Sequence, residues 1–506
     1  MLRFSGWRVH VLFLTLLLVL TGCGTTNFNP VTGQNQRGAY TWAQQIELGT
    51  QADQQISAQY GLLDDPEVVA YVDAVGQQVL SIALDNIQAA IDRGDVEGDA
   101  AAFAEIRATP FAFRVLDTPV VNAFALPGGY NYVTRGLLAH LDNEAQLAMV
   151  LGHEIGHVLA QHSSRQAFEA QRGQLGLIGA AIAGTIIDPR LGQGILEVGG
   201  TGVQLLFLKY GRDAERQADE AGVAYAEFAG YDAAEGARFF RSLARIQESA
   251  GGGLPSFLST HPDPSEREQT IPQLAALYDT GVNIGTEAYH NEIAGIILGE
   301  NPREGFVEDG VFYHPDLAFR FDVPRVWQVQ NTRSAVIMGE PNGNAALQLT
   351  LAGQSSASAA AQEFRGQQGV SVTGQETVSF NGASGVMLEG QAQSQQGAIA
   401  FLASYIEYGG NVYQMLGLTA PQNYSTYGDG FNRTMRSFAR LTDSRYLNRQ
   451  PVRLDVVAAS RTAPFSSFLR GRPEVPGIDD NGLAILNQVG LNDTIQVGTL
   501  LKLPTN

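Results

Sequence analysis

Ala148-Met149-Val150-Leu151-Gly152-His153-Glu154-Ile155-Gly156-His157-Val158-Leu159-Ala160 is apolar enough for a buried helix, yet it carries two histidines and a glutamate. On a helix, residues four apart stand about 40° apart around the axis and roughly 6 Å along it, so His153 and His157 can aim both imidazoles at one ion. Glu154 leaves the same turn beside them. Gly156 keeps the space next to that ion small, and four of the chain's eight histidines fall between positions 140 and 162.

This is the H-E-x-x-H arrangement, in which two neutral imidazoles hold Zn²⁺ and the glutamate takes a proton from water. Zinc lowers the pKa of bound water from about 15.7 towards about 7, which makes hydroxide available at neutral pH. A catalytic zinc site needs a third protein ligand and one open position. The best source is Gly211-Arg212-Asp213-Ala214-Glu215-Arg216-Gln217-Ala218-Asp219, where Glu215 and Asp219 are four apart and share a helix face. Glu215 is the expected third ligand. Asp219 is expected to orient a first-helix histidine through its free ring N–H. The expected cofactor is one Zn²⁺ per chain.

Five ordered motifs lie between about residues 40 and 300: Asn122-Ala-Phe-Ala-Leu-Pro-Gly-Gly129, Val133-Thr-Arg-Gly-Leu-Leu138, His153-Glu-Ile-Gly-His157, Glu215-Arg-Gln-Ala-Asp219, and Ser259-Thr-His-Pro-Asp-Pro264 with Ser265-Glu-Arg267. Together they resemble the CAAX-prenyl-protease family of zinc metalloendopeptidases, in particular its BepA-like periplasmic branch. The resemblance implies zinc on His153, His157 and Glu215, Glu154 as general base and acid, and His261 near the metal. It further implies that His261 caps the zinc at rest and swings away for substrate. From the residues alone, His261 precedes Pro262 and must sit on an extended or turning segment. There it could fill the open coordination position or donate a hydrogen bond to an oxyanion, and both readings stay open.

The expected architecture is an α+β multidomain protein. Residues 1–22 read as a lipoprotein signal peptide: Arg3 and Arg8 precede the apolar run Val11 to Leu20, too short to span a bilayer as a helix, and Leu20-Thr21-Gly22-Cys23 resembles a bacterial lipobox. Cys23, the only cysteine, is the expected lipidation site, and Gly24 after it favours the outer membrane, facing the periplasm. Residues 23–40 read as a polar tether. Residues 41–300 are expected to form a mainly helical, zincin-type metalloprotease domain with a small β-sheet. In it, Pro127-Gly128-Gly129 interrupts the strands and could leave an open edge or form an ordinary turn; the family resemblance implies the edge, with Asn122, Ala123, Phe124 and Ala125 as the expected substrate-binding residues. The apolar stretch from Leu175 to Phe207 is expected as helical cover over the cleft, with a membrane-dipping or substrate-gating role as the alternative, and Gly251-Gly252-Gly253 as a hinge before His261 or a plain loop.

Residues 305–445 read as an α+β domain rich in antiparallel strands. Leu317, Phe319, Phe321 and Val323 alternate with polar neighbours, hairpins are expected to turn at Pro341 to Asn344 and at Gly409-Gly410, and helices near Ala359 to Phe364 and Phe431 to Leu441. Within residues 450–505, Leu483-Ala-Ile-Leu-Asn487 and Thr494-Ile-Gln-Val-Gly-Thr-Leu-Leu-Lys-Leu-Pro504 resemble the second half of a LysM glycan-binding module, but in the first half Ala459-Ser-Arg-Thr-Ala-Pro464 lacks the usual Gly-Asp-Thr turn. A peptidoglycan-binding module and a degenerate one kept for packing both stay open. The helix pairs that BepA-like relatives carry after the catalytic domain, with a period of roughly 34 residues, are missing.

A formal charge of −19 and the absence of a basic cluster exclude nucleic acid as a partner class. The expected partners are protein or peptide substrates, the outer membrane through a lipid anchor, and peptidoglycan through the C-terminal segment. The expected function is a lipid-anchored periplasmic zinc metalloendopeptidase acting on misfolded or stalled envelope proteins. The competing reading is a chaperone or cell-wall-tethered adaptor with a latent metal site.

Overall fold

Polar side chains that would suit a tether instead close a hairpin. In the computed structural model, β1 (Thr25–Asn29) pairs antiparallel with β2 (Gln34–Gly38). Residues 24–40 therefore do not form the expected tether. Asn29 Nδ2 and Gln36 Nε2 both donate to the Ala160 carbonyl, at 3.4 and 2.6 Å, satisfying a group that a helix end leaves orphaned. The structure describes residues 24–95, 99–173, 210–249, 257, 261, 264–278, 280–394 and 397–506. The expected signal peptide and Cys23, the stretch 175–207 and the glycines 251–253 lie outside them.

Two long helices follow, α1 (Trp42–Tyr60) and α2 (Pro66–Arg93). Thr41 and Gln44 form a capping box on the first, while Asp65 caps the second just before Pro66. The small sheet has the order β3 (Ala112–Leu116), β5 (Tyr130–Thr134), β4 (Ala123–Leu126), with β3 parallel and β4 antiparallel to β5. Between β4 and β5 the chain turns through Gly128 and Gly129, at φ of 81° and 105°. A Cβ on Gly128 would stand 2.4 Å from the Ile46 Cα of α1, so no larger residue fits. This turn leaves β4 at the sheet edge.

A short helix, α3 (Arg135–His140), leads into α4 (Glu144–Leu159), which carries the H-E-x-x-H residues and is buried along nearly its whole length. Asn143 caps α4 by accepting from the Gln146 amide at 2.9 Å. The chain breaks at Ala160, passes through Gln161 at φ 53°, and restarts as α5 (His162–Gly173). Next come α6 (Arg212–Phe228), α7 (Gly236–Ser249) and α8 (Pro264–Ala275).

Residues 306–440 hold two sheets. β6 (Phe306–Glu308), β7 (Val311–His314), β8 (Phe319–Asp322) and β16 (Ala439–Arg440) make a four-stranded sheet. The larger sheet runs β12-β13-β14-β15-β11-β10-β9, from β12 (Val370–Phe380), β13 (Ala383–Ser394), β14 (Gly397–Tyr408) and β15 (Asn411–Thr419) to β11 (Ala345–Ala352), β10 (Ala335–Gly339) and β9 (Gln328–Asn331). Alternation along its strands gives it two apolar faces. One packs on α9 (Ala357–Arg365) through Ala360, Leu388 and Phe401, and the other on α10 (Tyr424–Arg436) and the small sheet through Phe319, Leu347 and Phe431. The last helix stops at Arg436, earlier than the expected Leu441, because Ala439-Arg440 leaves it to pair with β8.

The C-terminal segment is not a separate body. β17 (Arg453–Ala458) pairs antiparallel with β18 (Leu500–Thr505), and α11 (Asp480–Leu486) lies between them. Leu454, Leu483, Leu501 and Leu503 belong to the same buried cluster as Met149, Leu151 and Ile155 of α4. The chain thus leaves this core near residue 300 and re-enters it near 452, where Leu298 N donates to Val452 O at 2.8 Å. Lys502 is fully buried and donates to the carbonyls of Ala139 and Leu141 at 3.0 and 2.5 Å, just ahead of α4. Burial lowers its pKa to about 8, against the pull of Asp142. Replacing Lys502 with methionine leaves both carbonyls buried and unpaired, so the expected loss is about 2–4 kcal/mol in urea unfolding. An unshifted midpoint would show that the contact is dispensable.

Candidate active site

Two helices made of small residues where they meet bring the site together. A Cβ on Gly222 of α6 would stand 2.7 Å from the His153 amide nitrogen, and one on Gly156 would stand 3.3 Å from Ala218 Cα. Gly156 therefore serves the helix crossing. With nothing but hydrogen at these positions, α4 and α6 approach closely enough for Glu215 to reach the imidazoles. Gly222→Ala must push the two backbones apart. The expected outcome is a destabilisation of about 1–3 kcal/mol and a loss of zinc affinity, measured on the same preparation. Wild-type affinity in this variant would mean that the crossing does not set the site.

Four side chains converge. His153 Nε2 and His157 Nε2 lie 3.0 Å apart. Glu215 Oε1 is 3.4 Å from His157 Nε2, and its Oε2 is 3.7 Å from His153 Nε2. His261 Nδ1 is 3.1 and 3.2 Å from the two Glu215 oxygens and 3.3 Å from His153 Nε2. One donor atom from each of the four falls within 4.8 Å of the others, and all four residues are buried. His261 reaches in from a turn in which its amide donates to the Phe257 carbonyl at 2.8 Å, and its ring stacks on Phe257 at 4.7 Å.

Burial pushes both α4 histidines down to about 3, so they are neutral and free to offer a lone pair. Burial would push Glu215 up, but His261 and His157 outweigh it and hold the carboxyl well below the usual range. His261 is raised because Glu215 and Glu154 overcome its desolvation. Glu154 behaves oppositely to Glu215: burial raises its pKa to about 7. Neither of its oxygens has a hydrogen-bond partner among the described residues, and Oε1 lies 3.6 Å from His261 Nε2, which also lacks one. The donor set fits Zn²⁺: two neutral imidazole nitrogens, one ionised carboxylate, and unsatisfied buried polar atoms around them.

Asp219 lies behind His153, with Oδ1 2.9 Å from its Nδ1. Sequence reasoning assigned no role to Arg267, whose buried guanidinium grips Asp219 through Nε at 3.0 and 2.9 Å and lies over the Phe240 ring. Two further residues were missed. Tyr210 stacks on His157 at 4.1 Å, and His162 meets the Nδ1 edge of the same ring. No local signal marks Arg267 beyond its place six residues after His261, and His162 is off the i+4 face of His157.

Of the expected substrate residues, Asn122 has its amide and carbonyl tied to Thr134. Ala123 and Ala125 are buried, and Phe124 stacks on Tyr132 at 4.8 Å. The Ala125 amide approaches Glu154 and pulls its pKa down without satisfying either oxygen. No strand among the described residues covers the outer edge of β4.

Residues 92–275, which include both α4 with its H-E-x-x-H residues and α6 with Glu215, match the model of Peptidase family M48. The beta-barrel assembly-enhancing protease of Escherichia coli (strain K12) is 26% identical over 245 residues, covering 47% of this chain and 45% of that protein. The protein of the same name from Yersinia pestis is 27% identical over 242 residues, with the same coverage. Metalloendopeptidase OMA1, mitochondrial, from Danio rerio is 33% identical over 175 residues, covering 34% and 37%. The chain spans less than half the length of each of these relatives.

Proposed function

We propose that this protein is a zinc-dependent endopeptidase that cleaves misfolded or stalled proteins of the bacterial cell envelope. The observation that carries the reading is the convergence of His153, His157 and Glu215 beside a buried glutamate whose oxygens have no full hydrogen bond among the described residues. When bound, Zn²⁺ supplies a Lewis acid that polarises a peptide carbonyl and acidifies water. Glu154, with a pKa near 7, is matched to take a proton and hand it to the leaving amine. The free edge of β4 offers main-chain groups on which an extended peptide lies as an added strand. His261, buried with Nδ1 within reach of the other three donors, would hold the ion as a further ligand and so keep the resting site closed.

The names of the bacterial relatives support envelope proteins as the substrate class and the envelope as the location. Lipidation at Cys23 and anchoring to the outer membrane belong to the same proposal, resting on the lipobox resemblance. The β-helix-β layout of 453–505 supports a LysM-like segment, and its shared core with the peptidase favours packing over glycan capture.

The test is cleavage of unfolded casein by zinc-stripped and zinc-restored protein, with and without His261→Ala. Activity is expected only with zinc, and His261→Ala is expected to raise it severalfold. Zinc binding with no cleavage by either protein would instead favour an adaptor with a latent site.

A further inference from the structure

His157 and His162 are five residues apart, a spacing that puts side chains about 140° apart on a continuous helix and out of reach. Yet their Nδ1 atoms lie 2.8 Å apart. The helix break between them makes this possible. Gln161 takes a left-handed backbone that non-glycine residues seldom adopt, and its side chain pins it there by donating to Phe28 O at 2.6 Å and accepting from Gln45 Nε2 at 2.8 Å. On its other side, His162 Nε2 is 2.8 Å from Gln217 Oε1, on the helix that bears Glu215.

We propose that His162 is a positioning residue for the candidate ligand His157, and that Gln217 sets the direction of the hydrogen bonds through it. This inference rests on the zinc reading of the site. A neutral imidazole has one N–H and one lone pair. The Gln217 carbonyl oxygen accepts from His162 Nε2–H, which leaves a lone pair on His162 Nδ1. His157 Nδ1 must then donate to it, so the lone pair of His157 sits on Nε2, the atom that faces His153 and Glu215. Reversing Gln217 would send every proton the other way and place one on His157 Nε2, where a metal could not bind. The two candidate ligands of α4 are thus braced differently: His153 by a carboxylate paired with Arg267, His157 by a neutral imidazole and an amide. Both braces end on α6, so they also tie the two helices together behind the site.

The test is the zinc dissociation constant of the full-length protein, measured by chelator competition, alongside the melting temperature of the metal-free form. His162→Leu removes the acceptor and is expected to weaken zinc by about 10–100-fold, the usual effect of losing such a partner. His162→Asn, whose Oδ1 can take the place of Nδ1, is expected to stay within about threefold of wild type. Gln217→Leu is expected to weaken binding, and the double variant with His162→Leu to bind no worse than His162→Leu alone, as for members of one chain of bonds. A purely structural role would lower the melting temperature of the metal-free form and leave zinc affinity in place, which would overturn the proposal. So would an asparagine variant as weak as the leucine one. Should His162→Leu fail to fold, the contrast between His162→Asn and Gln217→Leu decides. Wild type that binds no zinc would overturn the metallopeptidase reading as well, whereas tight binding in every variant overturns this inference alone.

Discussion

Glu154→Gln is expected to lower peptide-bond hydrolysis by about 10²–10⁴-fold, the span of a lost general base, while zinc binds with unchanged affinity. The amide matches the carboxyl in shape but cannot take a proton. Metal affinity holds because the converging donors are His153, His157, Glu215 and His261, with Glu154 beside them. The variant also carries a stability signature. A carboxyl whose pKa rises from 4.5 to about 7 on folding stays protonated in the native state while the unfolded chain ionises. Stability is therefore lost as pH climbs through that window, and the loss is complete above it. Metal-free Glu154→Gln escapes this and is expected to melt above the metal-free wild type at pH 8. Casein cleavage, chelator competition and the pH 8 melt read the three effects separately. Undiminished cleavage would remove Glu154 from the chemistry.

Arg267→Ala is expected to destabilise the protein by about 3–5 kcal/mol, the cost of leaving a buried ion pair half made. The guanidinium binds both oxygens of Asp219 and stands 3.5 Å from Glu215, so its loss leaves the buried Asp219 carboxylate without its cation, while Glu215 keeps His261 and His157. It also frees Asp219 to turn away from His153, for which zinc affinity is expected to fall about 10–100-fold. Arg267→Lys restores charge without the planar fork and is expected to recover only part of either quantity. Denaturant unfolding of the metal-free protein isolates the first effect. A midpoint equal to wild type would show that water or a neighbouring cation replaces the arginine.

What the sequence made legible tracks how local each relationship is. His153, Glu154 and His157 announce themselves because helical spacing alone brings them together, and Glu215 and Asp219 do so for the same reason. Arg267, Tyr210 and His162 act on those residues across the fold or across a helix break, which no periodicity encodes. Residues 24–40 were misjudged because asparagine and glutamine look solvent-seeking, whereas here Asn29 and Gln36 serve the buried carbonyl at the end of α4. The strand alternation and hairpin turns of 305–445 were readable, being short-range. That Leu501 shares a core with Met149 was not, since membership of a core depends on residues hundreds of positions away.

That shared core bears on the timing of biosynthesis. Leu501, Leu503 and Lys502 complete the packing around the start of α4, while the sheets of 306–440 fold on cores of their own. During vectorial synthesis the intervening unit can therefore finish first, and the core around α4 is complete only once β18 has emerged. A truncation product that ends before residue 500 therefore lacks a strand that packs into the same core as the H-E-x-x-H helix.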